Sequence, residues 1–290
     1  MPDSNHPVPD LAGLGASLPR RDLSRRGLLR SVAGLVAVGL PGVAWAQEGE
    51  APLDPRLAAD SVTFQVRRTI YKGLLVRPRV PAKRPGILLI PDQRGPAPHW
   101  RDMARRFAVE GFVVLLPDLV SPWGVPENSE EAGNRMARII PAEHQLSLDT
   151  AAELLAKHPE CNGSVAAVGF TWGGPYVMQF AIAGGRIKAG VVYNATLPSP
   201  EKSATAKVPL LFHWGENDPR TAPQIEPLEK KMIGAARVFE SWNYPGKTGG
   251  FATDPGGRNY DKEAADRAFE RTVFFLRRHL ATGAGAPSGG

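Results

Sequence analysis

The sequence predicts an α/β fold, in which a mostly parallel central sheet carries helices on both faces. Short apolar segments alternate with longer amphipathic ones from about residue 60 to residue 280. Glycine- and proline-containing turns separate these segments. The 290 residues are enough for one large domain with a substantial core, and the sequence shows neither an internal repeat nor a second domain.

The predicted elements follow each other in the order typical of this class. Apolar runs of five to eight residues are expected to be buried strands, and helix 99–110 places Trp100, Met103 and Phe107 on one side. The predicted strands are residues 62–68, 71–77, 86–91, 112–117, 164–170, 187–193, 208–214 and 236–243, of which the first two form a hairpin. The predicted helices are residues 99–110, 129–158 with a break at Pro141, 172–183, 221–234 and 261–281.

The first 46 residues have the features of a twin-arginine export signal. Arg25 and Arg26 precede an apolar run over residues 31–40, and a small-x-small site ends at Ala46. We expect cleavage after Ala46 and a periplasmic or secreted protein without a stable membrane span, although an uncleaved signal anchor is an alternative. The expected organisation is signal 1–46, linker 47–60, domain 61–281 and flexible tail 282–290.

Composition excludes several classes of function. The formal net charge is +6, but the basic residues form no stripe with interleaved aromatics, so no nucleic-acid partner is expected. No metal-ligand spacing and no phosphate- or dinucleotide-binding signature occurs, so neither a metal nor a cofactor is expected. Cys161, the single cysteine, is interpreted as a structural thiol. The expected partner is a small-molecule substrate or ligand, and the oligomeric state stays open.

Residues 169–174, Gly-Phe-Thr-Trp-Gly-Gly, have the spacing of a nucleophile elbow with Thr171 at its centre. An elbow joins a strand to a helix through a turn so tight that small residues must flank the central one, and helix N-terminal amides lie behind it. An apolar strand precedes the segment, and Pro175 falls in the first turn of the following helix. The pattern predicts an active site with threonine in place of serine or cysteine.

Three further stretches resemble the dienelactone hydrolase family, a group of α/β-hydrolases, over about residues 60–280. Asp92-Gln93-Arg94-Gly95 resembles the family's loop after the third strand. Residues 215–219, Gly-Glu-Asn-Asp-Pro, resemble the turn with the triad acid, and residues 244–251 resemble the segment with the triad histidine. The resemblance implies an α/β-hydrolase fold and hydrolysis of a small ester or lactone.

The resemblance also implies a role for each site residue. Thr171 stands where the family's nucleophile is usually cysteine, Asp218 matches the acid, and Gly249 stands in the place of the histidine. The oxyanion amides would come from Gln93 and Trp172. Two of the three triad places therefore depart from the family pattern, since a threonine hydroxyl needs a base beside it.

Other side chains are candidates for supporting roles. Asp92 precedes the first oxyanion amide and is a candidate base, and so is Lys247 if burial lowers its pKa. Trp123, in a proline-rich loop, either lines the pocket or packs on the surface. We expect His213 to be a packing residue and His99 to be a structural hydrogen-bonding residue.

Three functional hypotheses follow from these departures. The first is an exported hydrolase of small esters or lactones that uses Thr171 as an atypical nucleophile. The second is an inactive hydrolase-like protein that binds a small organic ligand or a partner. The third is a lyase, isomerase or hydratase in which Asp92 or Asp218 acts as acid or base without a covalent intermediate.

Overall fold

The computed structural model describes residues 53–280 apart from Val125 and Glu127, and an eight-stranded sheet forms its centre. The predicted export signal, the start of the predicted linker and the predicted tail lie outside the described residues. The strands are β1 Leu57–Val66, β2 Thr69–Pro78, β3 Arg84–Ile90, β4 Val113–Asp118, β5 Cys161–Phe170, β6 Ala189–Tyr193, β7 Leu210–Gly215 and β8 Phe239–Tyr244.

The sheet is parallel except at one edge. Its strand order is β1-β2-β4-β3-β5-β6-β7-β8. The hairpin partners β1 and β2 are antiparallel, and β2 also pairs antiparallel with β4, whereas every later neighbour pair is parallel. The strands from β3 to β8 therefore direct their carboxyl ends toward the same edge, where ligands bind in open parallel sheets.

Helices cover both faces of this sheet. Trp100 and Phe107 from α1 and Phe275 from α7 pack in the core on one face, while Leu148 of α3 and Phe180 of α4 pack in the core on the other. The helices are α1 Pro98–Val109, α2 Ser129–Arg138, α3 Pro141–Lys157, α4 Gly174–Ala183, α5 Pro200–Ser203, α6 Ala222–Gly234 and α7 Lys262–Leu280. None of the helices in the described part of the chain has the length and apolarity needed to cross a membrane.

The α/β prediction is confirmed, and the differences are local. Strand β1 begins at Leu57, inside the segment that the sequence assigned to a linker, because Leu57 is buried and pairs with Pro78 of the hairpin. The break at Pro141 separates α2 from α3, because proline occupies the first turn of α3. Three short elements were not predicted, the 3₁₀ turns at Ser121–Trp123 and Thr171–Gly173 and helix α5, the second of which occupies the start of the predicted helix 172–183.

Candidate active site

The elbow between β5 and α4 holds Thr171 in a strained backbone conformation. Thr171 has φ 43°, a left-handed value that is rare for a β-branched residue. A Cβ on Gly169 would lie 2.6 Å from the carbonyl oxygen of Gly173. A Cβ on Gly173 would lie 2.5 Å from the carbonyl oxygen of Ile90. The two glycines are therefore required by close backbone approach, and the turn presents the central side chain at the carboxyl edge of the sheet.

A pocket of about 430 Å³ lies at this elbow. Thr171 lines it together with Gln93 and Trp172, the two residues whose amides the family resemblance assigns to the oxyanion hole. The Thr171 Oγ1 atom is buried and has no hydrogen-bond partner among the described residues. The amide of Trp172 belongs to the first turn after the elbow, where N–H groups lack partners within the helix. The pocket thus brings Thr171 together with the two residues that are the candidate oxyanion donors.

Asp218, the predicted triad acid, lies in the turn after β7 and is 2% exposed. Its Oδ2 accepts hydrogen bonds from Asn194 Nδ2 at 2.6 Å and from Arg220 Nη2 at 2.8 Å. Its Oδ1 accepts from the Arg220 amide at 2.9 Å and from Arg220 Nε at 3.1 Å. Burial opposes ionisation, but the hydrogen bonds from Arg220 and Asn194 outweigh it, so the pKa of the carboxyl lies below its usual value.

Gly249, the residue that the sequence predicts in the place of the triad histidine, lies beside this carboxylate. A Cβ on Gly249 would collide with both the Arg220 Nη2 atom and the Asp218 Oδ2 atom, and it would lie 3.1 Å from Asn194 Nδ2. The Arg220 guanidinium therefore occupies the space that a side chain at position 249 would need. Arg220 also lines the pocket that contains Thr171. The structure brings Gly249 and Asp218 together, and Arg220, the partner of the acid, extends from them to the pocket of Thr171.

Asp92 has a similar arrangement on the other side of the elbow. The Arg94 amide donates to its Oδ1 at 3.0 Å, and Arg94 Nη2 donates to its Oδ2 at 2.6 Å. Arg94 Nη1 also donates to Asp254 Oδ2 at 2.9 Å. Asp92 is thus ion-paired with the residue two positions later, as Asp218 is. As a base for Thr171, or as an acid or base in a lyase-type reaction, either carboxylate would first have to leave its arginine.

The other candidates lie in structural contacts. Lys247 Nζ donates to Asp261 Oδ2 at 2.5 Å, so its ammonium group already has a charged partner. Trp123 is 50% exposed and packs edge-on against Tyr71, with 6.4 Å between ring centroids, and it is not among the residues that line the Thr171 pocket. This geometry agrees with the surface-packing alternative for Trp123.

Neither histidine singled out from the sequence reaches the pocket lining. His213 is completely buried, with Nε2 3.0 Å from Thr272 Oγ1 and Nδ1 3.0 Å from the Tyr244 hydroxyl, and burial lowers its pKa to about 3. His99 packs against Trp100, and burial lowers its pKa. His213 is thus a buried packing residue, and His99, expected to be a structural hydrogen-bonding residue, has its Nε2 3.5 Å from Arg94 Nη2.

Four residues of the site were not singled out from the sequence: Asn194, Arg220, Tyr176 and His144. Asn194 directly follows β6, so the rule that ligands bind at the carboxyl ends of parallel strands was a signal for it. Tyr176 lines the pocket, and its hydroxyl lies 2.9 Å from Nδ1 of His144. His144 belongs to α3, far from the elbow in sequence, and no motif pointed to it.

The fold and site define an α/β-hydrolase. The dienelactone hydrolase family model matches residues 71–280, and the chain belongs to that family. Among curated relatives, the carboxymethylenebutenolidase of Pseudomonas sp. (strain P51) is 27% identical over 216 residues, covering 69% of this chain and 88% of the relative. The "Probable 2-oxo-3-(5-oxofuran-2-ylidene)propanoate lactonase" of a Bradyrhizobium species is 27% identical over 239 residues, covering 77% of this chain and 96% of the relative.

Solved structures show the same fold at lower sequence identity. A dienelactone hydrolase-like promiscuous phosphotriesterase from metagenomic libraries superposes with a TM-score of 0.67 at 21% identity, covering 78% of this chain and all of the other. The acylaminoacyl peptidase of Pyrococcus horikoshii gives a TM-score of 0.62 at 12% identity, covering 79% of this chain and 43% of the peptidase. The chain is therefore a hydrolase-like protein of the dienelactone hydrolase family.

Proposed function

We propose that this protein hydrolyses a small ester or lactone in the Thr171 pocket, with Thr171 as the nucleophile. The observation that carries the proposal is the strained elbow. A β-branched residue at φ 43° costs of the order of 1–3 kcal/mol, and such strain is found mainly at functional sites. The names of the relatives above, a lactonase and a carboxymethylenebutenolidase, support a lactone as the substrate.

The proposed reaction has two steps. The substrate carbonyl oxygen accepts hydrogen bonds from the Gln93 and Trp172 amides, which stabilise the negative charge that develops there. The Thr171 oxygen bonds to the carbonyl carbon, its proton passes through water to the departing oxygen, and the ester carbon–oxygen bond breaks. Water then cleaves the threonyl ester and releases the acid. Since Arg220 holds Asp218 and none of the histidines in the described part of the chain bonds to that carboxylate, we expect slow turnover.

The test is hydrolysis of 4-nitrophenyl acetate and of an unsaturated five-membered lactone by the wild type, Thr171→Ser and Thr171→Ala. We expect Thr171→Ala to lose at least about tenfold in kcat/KM, equivalent to roughly 1.4 kcal/mol of transition-state stabilisation. Thr171→Ser is expected to retain activity, because it keeps the hydroxyl and removes the branched methyl. Thr205→Ala, in an exposed turn, is the control of the same type. Equal rates for wild type and Thr171→Ala would falsify the proposal.

A second function, binding without turnover, is supported by one specific observation. The guanidinium of Arg220 fills the space that a side chain at Gly249 would need, and it donates hydrogen bonds to Asp218. The acid corner, formed by Asp218, Arg220 and Gly249, can therefore line a ligand-binding pocket without a histidine. Under this alternative, a lactone would raise the unfolding temperature of the wild type without product formation. Thr171-dependent product formation would exclude it.

A further inference from the structure

Tyr176 and His144 form a buried polar pair at the pocket that the triad comparison does not explain. The two residues are 5% and 3% exposed, and the Tyr176 hydroxyl lies 2.9 Å from His144 Nδ1. Their rings meet at an angle of 81°, and the His144 ring also stands edge-on to Trp172 at 4.8 Å between centroids. Two aromatic contacts and the hydrogen bond to Tyr176 therefore fix the imidazole, while the tyrosine borders the same pocket as Thr171.

The protonation states of this pair follow from burial. Burial lowers the pKa of His144 to about 4, so its imidazole is neutral near pH 7. Burial raises the pKa of Tyr176 to about 12, so its hydroxyl keeps its proton. A neutral imidazole carries one N–H, and either Nδ1 donates to the tyrosine oxygen or it accepts the tyrosine proton.

The unpaired Nε2 atom of His144 favours the first of these arrangements. Nε2 is buried and has no hydrogen-bond partner among the described residues. If Nδ1 accepted the tyrosine proton, Nε2 would carry a buried N–H without an acceptor, and orphaned buried donors are rarer than under-satisfied acceptors. With the proton on Nδ1, the imidazole donates to the Tyr176 oxygen, and the tyrosine O–H is free to donate into the pocket.

An ester in this pocket needs one further donor. Its carbonyl oxygen accepts hydrogen bonds from the Gln93 and Trp172 amides in the proposed reaction. The bridging oxygen, which departs during cleavage, has no donor assigned to it. In a triad the histidine gives that oxygen a proton, but here the corresponding position is Gly249, and Arg220 is bound to Asp218. Asn194 and Arg220, which also line the pocket, already donate to Asp218, whereas the Tyr176 hydroxyl is held by the buried His144 and keeps a proton to donate.

We propose that the Tyr176 hydroxyl, oriented by His144, donates a hydrogen bond to the departing oxygen of an ester or lactone bound in the Thr171 pocket. This inference rests on the proposed function and adds a catalytic residue to it, with His144 as a positioning residue. For a phenol leaving group the tyrosine keeps its proton, because its own pKa is higher. The hydrogen bond stabilises the charge that develops on the departing oxygen and leaves the overall reaction unchanged.

The kinetic test uses aryl acetates whose leaving phenols differ in acidity, from 4-nitrophenyl to phenyl to 4-methoxyphenyl acetate. Tyr176→Phe should lower kcat/KM about tenfold for phenyl and 4-methoxyphenyl acetate and much less for 4-nitrophenyl acetate, since a poorer leaving group develops more charge that needs a donor. Tyr260→Phe is the matched control, with no change in this dependence. A uniform loss across the series would contradict the assignment.

His144 variants separate positioning from packing. His144→Asn keeps a donor near the position of Nδ1 and should retain most of the wild-type leaving-group dependence, whereas His144→Leu should give the steeper dependence of Tyr176→Phe. If both variants lose activity uniformly across the aryl acetates, His144 has only a structural role and the positioning assignment is wrong.

A binding measurement provides a readout without turnover. In Thr171→Ala, addition of Tyr176→Phe should weaken 4-nitrophenolate binding about tenfold, because a hydrogen bond to an anion is lost, and should leave 4-nitroanisole binding nearly unchanged. Equal effects on both probes, or no binding of 4-nitrophenolate, would overturn the inference. If hydrolysis does not depend on Thr171, both the proposed function and the leaving-group role of Tyr176 are wrong. If hydrolysis depends on Thr171 but Tyr176→Phe has the same leaving-group dependence as the wild type, only this inference is wrong.

Discussion

At the end of β5 the backbone of the elbow is kept in full, with glycines at the two positions of closest approach and Thr171 at φ 43°. At the ends of β7 and β8 lies the acid corner, formed by Asp218, Arg220 and Gly249, where Asp218 is the predicted triad acid and Arg220 fills the space that a side chain at position 249 would need. The two regions therefore differ in what they preserve. Compared with the family pattern that the sequence predicts, the elbow has the expected backbone geometry but a different central side chain, Thr171. The acid corner has the expected acid, Asp218, but a different partner for it, Arg220.

If Gly249 holds the place of the triad histidine, as the sequence predicts, the loss of that histidine is not a simple deletion. An unpaired buried carboxylate is costly, so loss of an imidazole beside Asp218 requires another donor. Arg220 supplies three hydrogen bonds to it, through its amide, Nε and Nη2. The same arrangement occurs at Asp92 with Arg94. Both acidic residues near the pocket are thus held by the arginine two positions later in the chain.

The largest expected effect comes from restoring the triad with and without removal of Arg220. Thr171→Cys with Gly249→His should gain little, because the new Cβ collides with the guanidinium. Adding Arg220→Ala removes the guanidinium and frees the Asp218 carboxylate, the other group that the new Cβ would contact, to shift. We expect kcat/KM for 4-nitrophenyl acetate to rise by about 100-fold or more, since triad members act as a unit. The readout is kcat/KM for all three combinations. Equal gains with and without Arg220→Ala would show that the arginine does not block the site.

Acidification should destabilise the folded protein through two buried histidines, His144 beside the elbow and His213 on β7. Burial lowers the pKa of His144 to about 4 and that of His213 to about 3, so the folded protein binds these protons less readily than the unfolded chain. Their stabilisation is complete above pH 6.5 and is lost as the pH falls toward the folded-state values. Each histidine should cost about 2 kcal/mol of unfolding free energy at pH 5.

Urea unfolding of wild type and His144→Asn at several pH values between 6.5 and 5 measures this contribution. Removing one titrating group should reduce the pH slope of the unfolding free energy by nearly one proton. His279→Asn, at the end of the last helix, is the comparison variant. Burial lowers the pKa of His279 as well, but this residue lies outside the site. An identical slope in His144→Asn and wild type would show that His144 is not buried in neutral form.

Arg220→Ala should destabilise the acid corner by about 1–2 kcal/mol. It leaves Asp218 buried with Asn194 and a backbone amide as donors, but the arginine side chain is 66% exposed, which reduces the effect below that of a fully buried pair. Arg267→Ala removes an exposed pair with Glu263 and should leave the urea midpoint unchanged. Asp218→Asn added to Arg220→Ala should recover part of the loss, and failure to do so would argue against an uncompensated charge.

The smallest expected effect lies at the elbow. Thr171→Gly relieves the left-handed strain and removes a buried hydroxyl that has no partner within the described residues, so we expect a gain of about 1 kcal/mol in unfolding free energy. Thr205→Gly, at a residue without positive φ, should show no such gain. Urea midpoints of the two variants test this, and a loss of stability in Thr171→Gly would mean that its side chain makes stabilising contacts that outweigh the strain.

The sequence by itself determined the fold and much of the site. Alternating apolar and amphipathic segments fixed the order of strands and helices, because burial of one face requires that periodicity. The glycines around Thr171 located the elbow, and the absence of a histidine between His213 and His279 excluded the usual triad. Each of these features depends on residues close together in the chain or on residue types that are simply absent.

Only the tertiary structure decided how the changed site is satisfied. The contact of Gly249 with Arg220 joins the turns after two strands, and the bond between Tyr176 and His144 joins two helices. Such pairs are set by how elements pack, since a side chain several turns away in sequence reaches its partner only after the sheet and helices have assembled. The same packing placed Trp123 against Tyr71 instead of in the Thr171 pocket, which neither periodicity nor motif spacing could reveal.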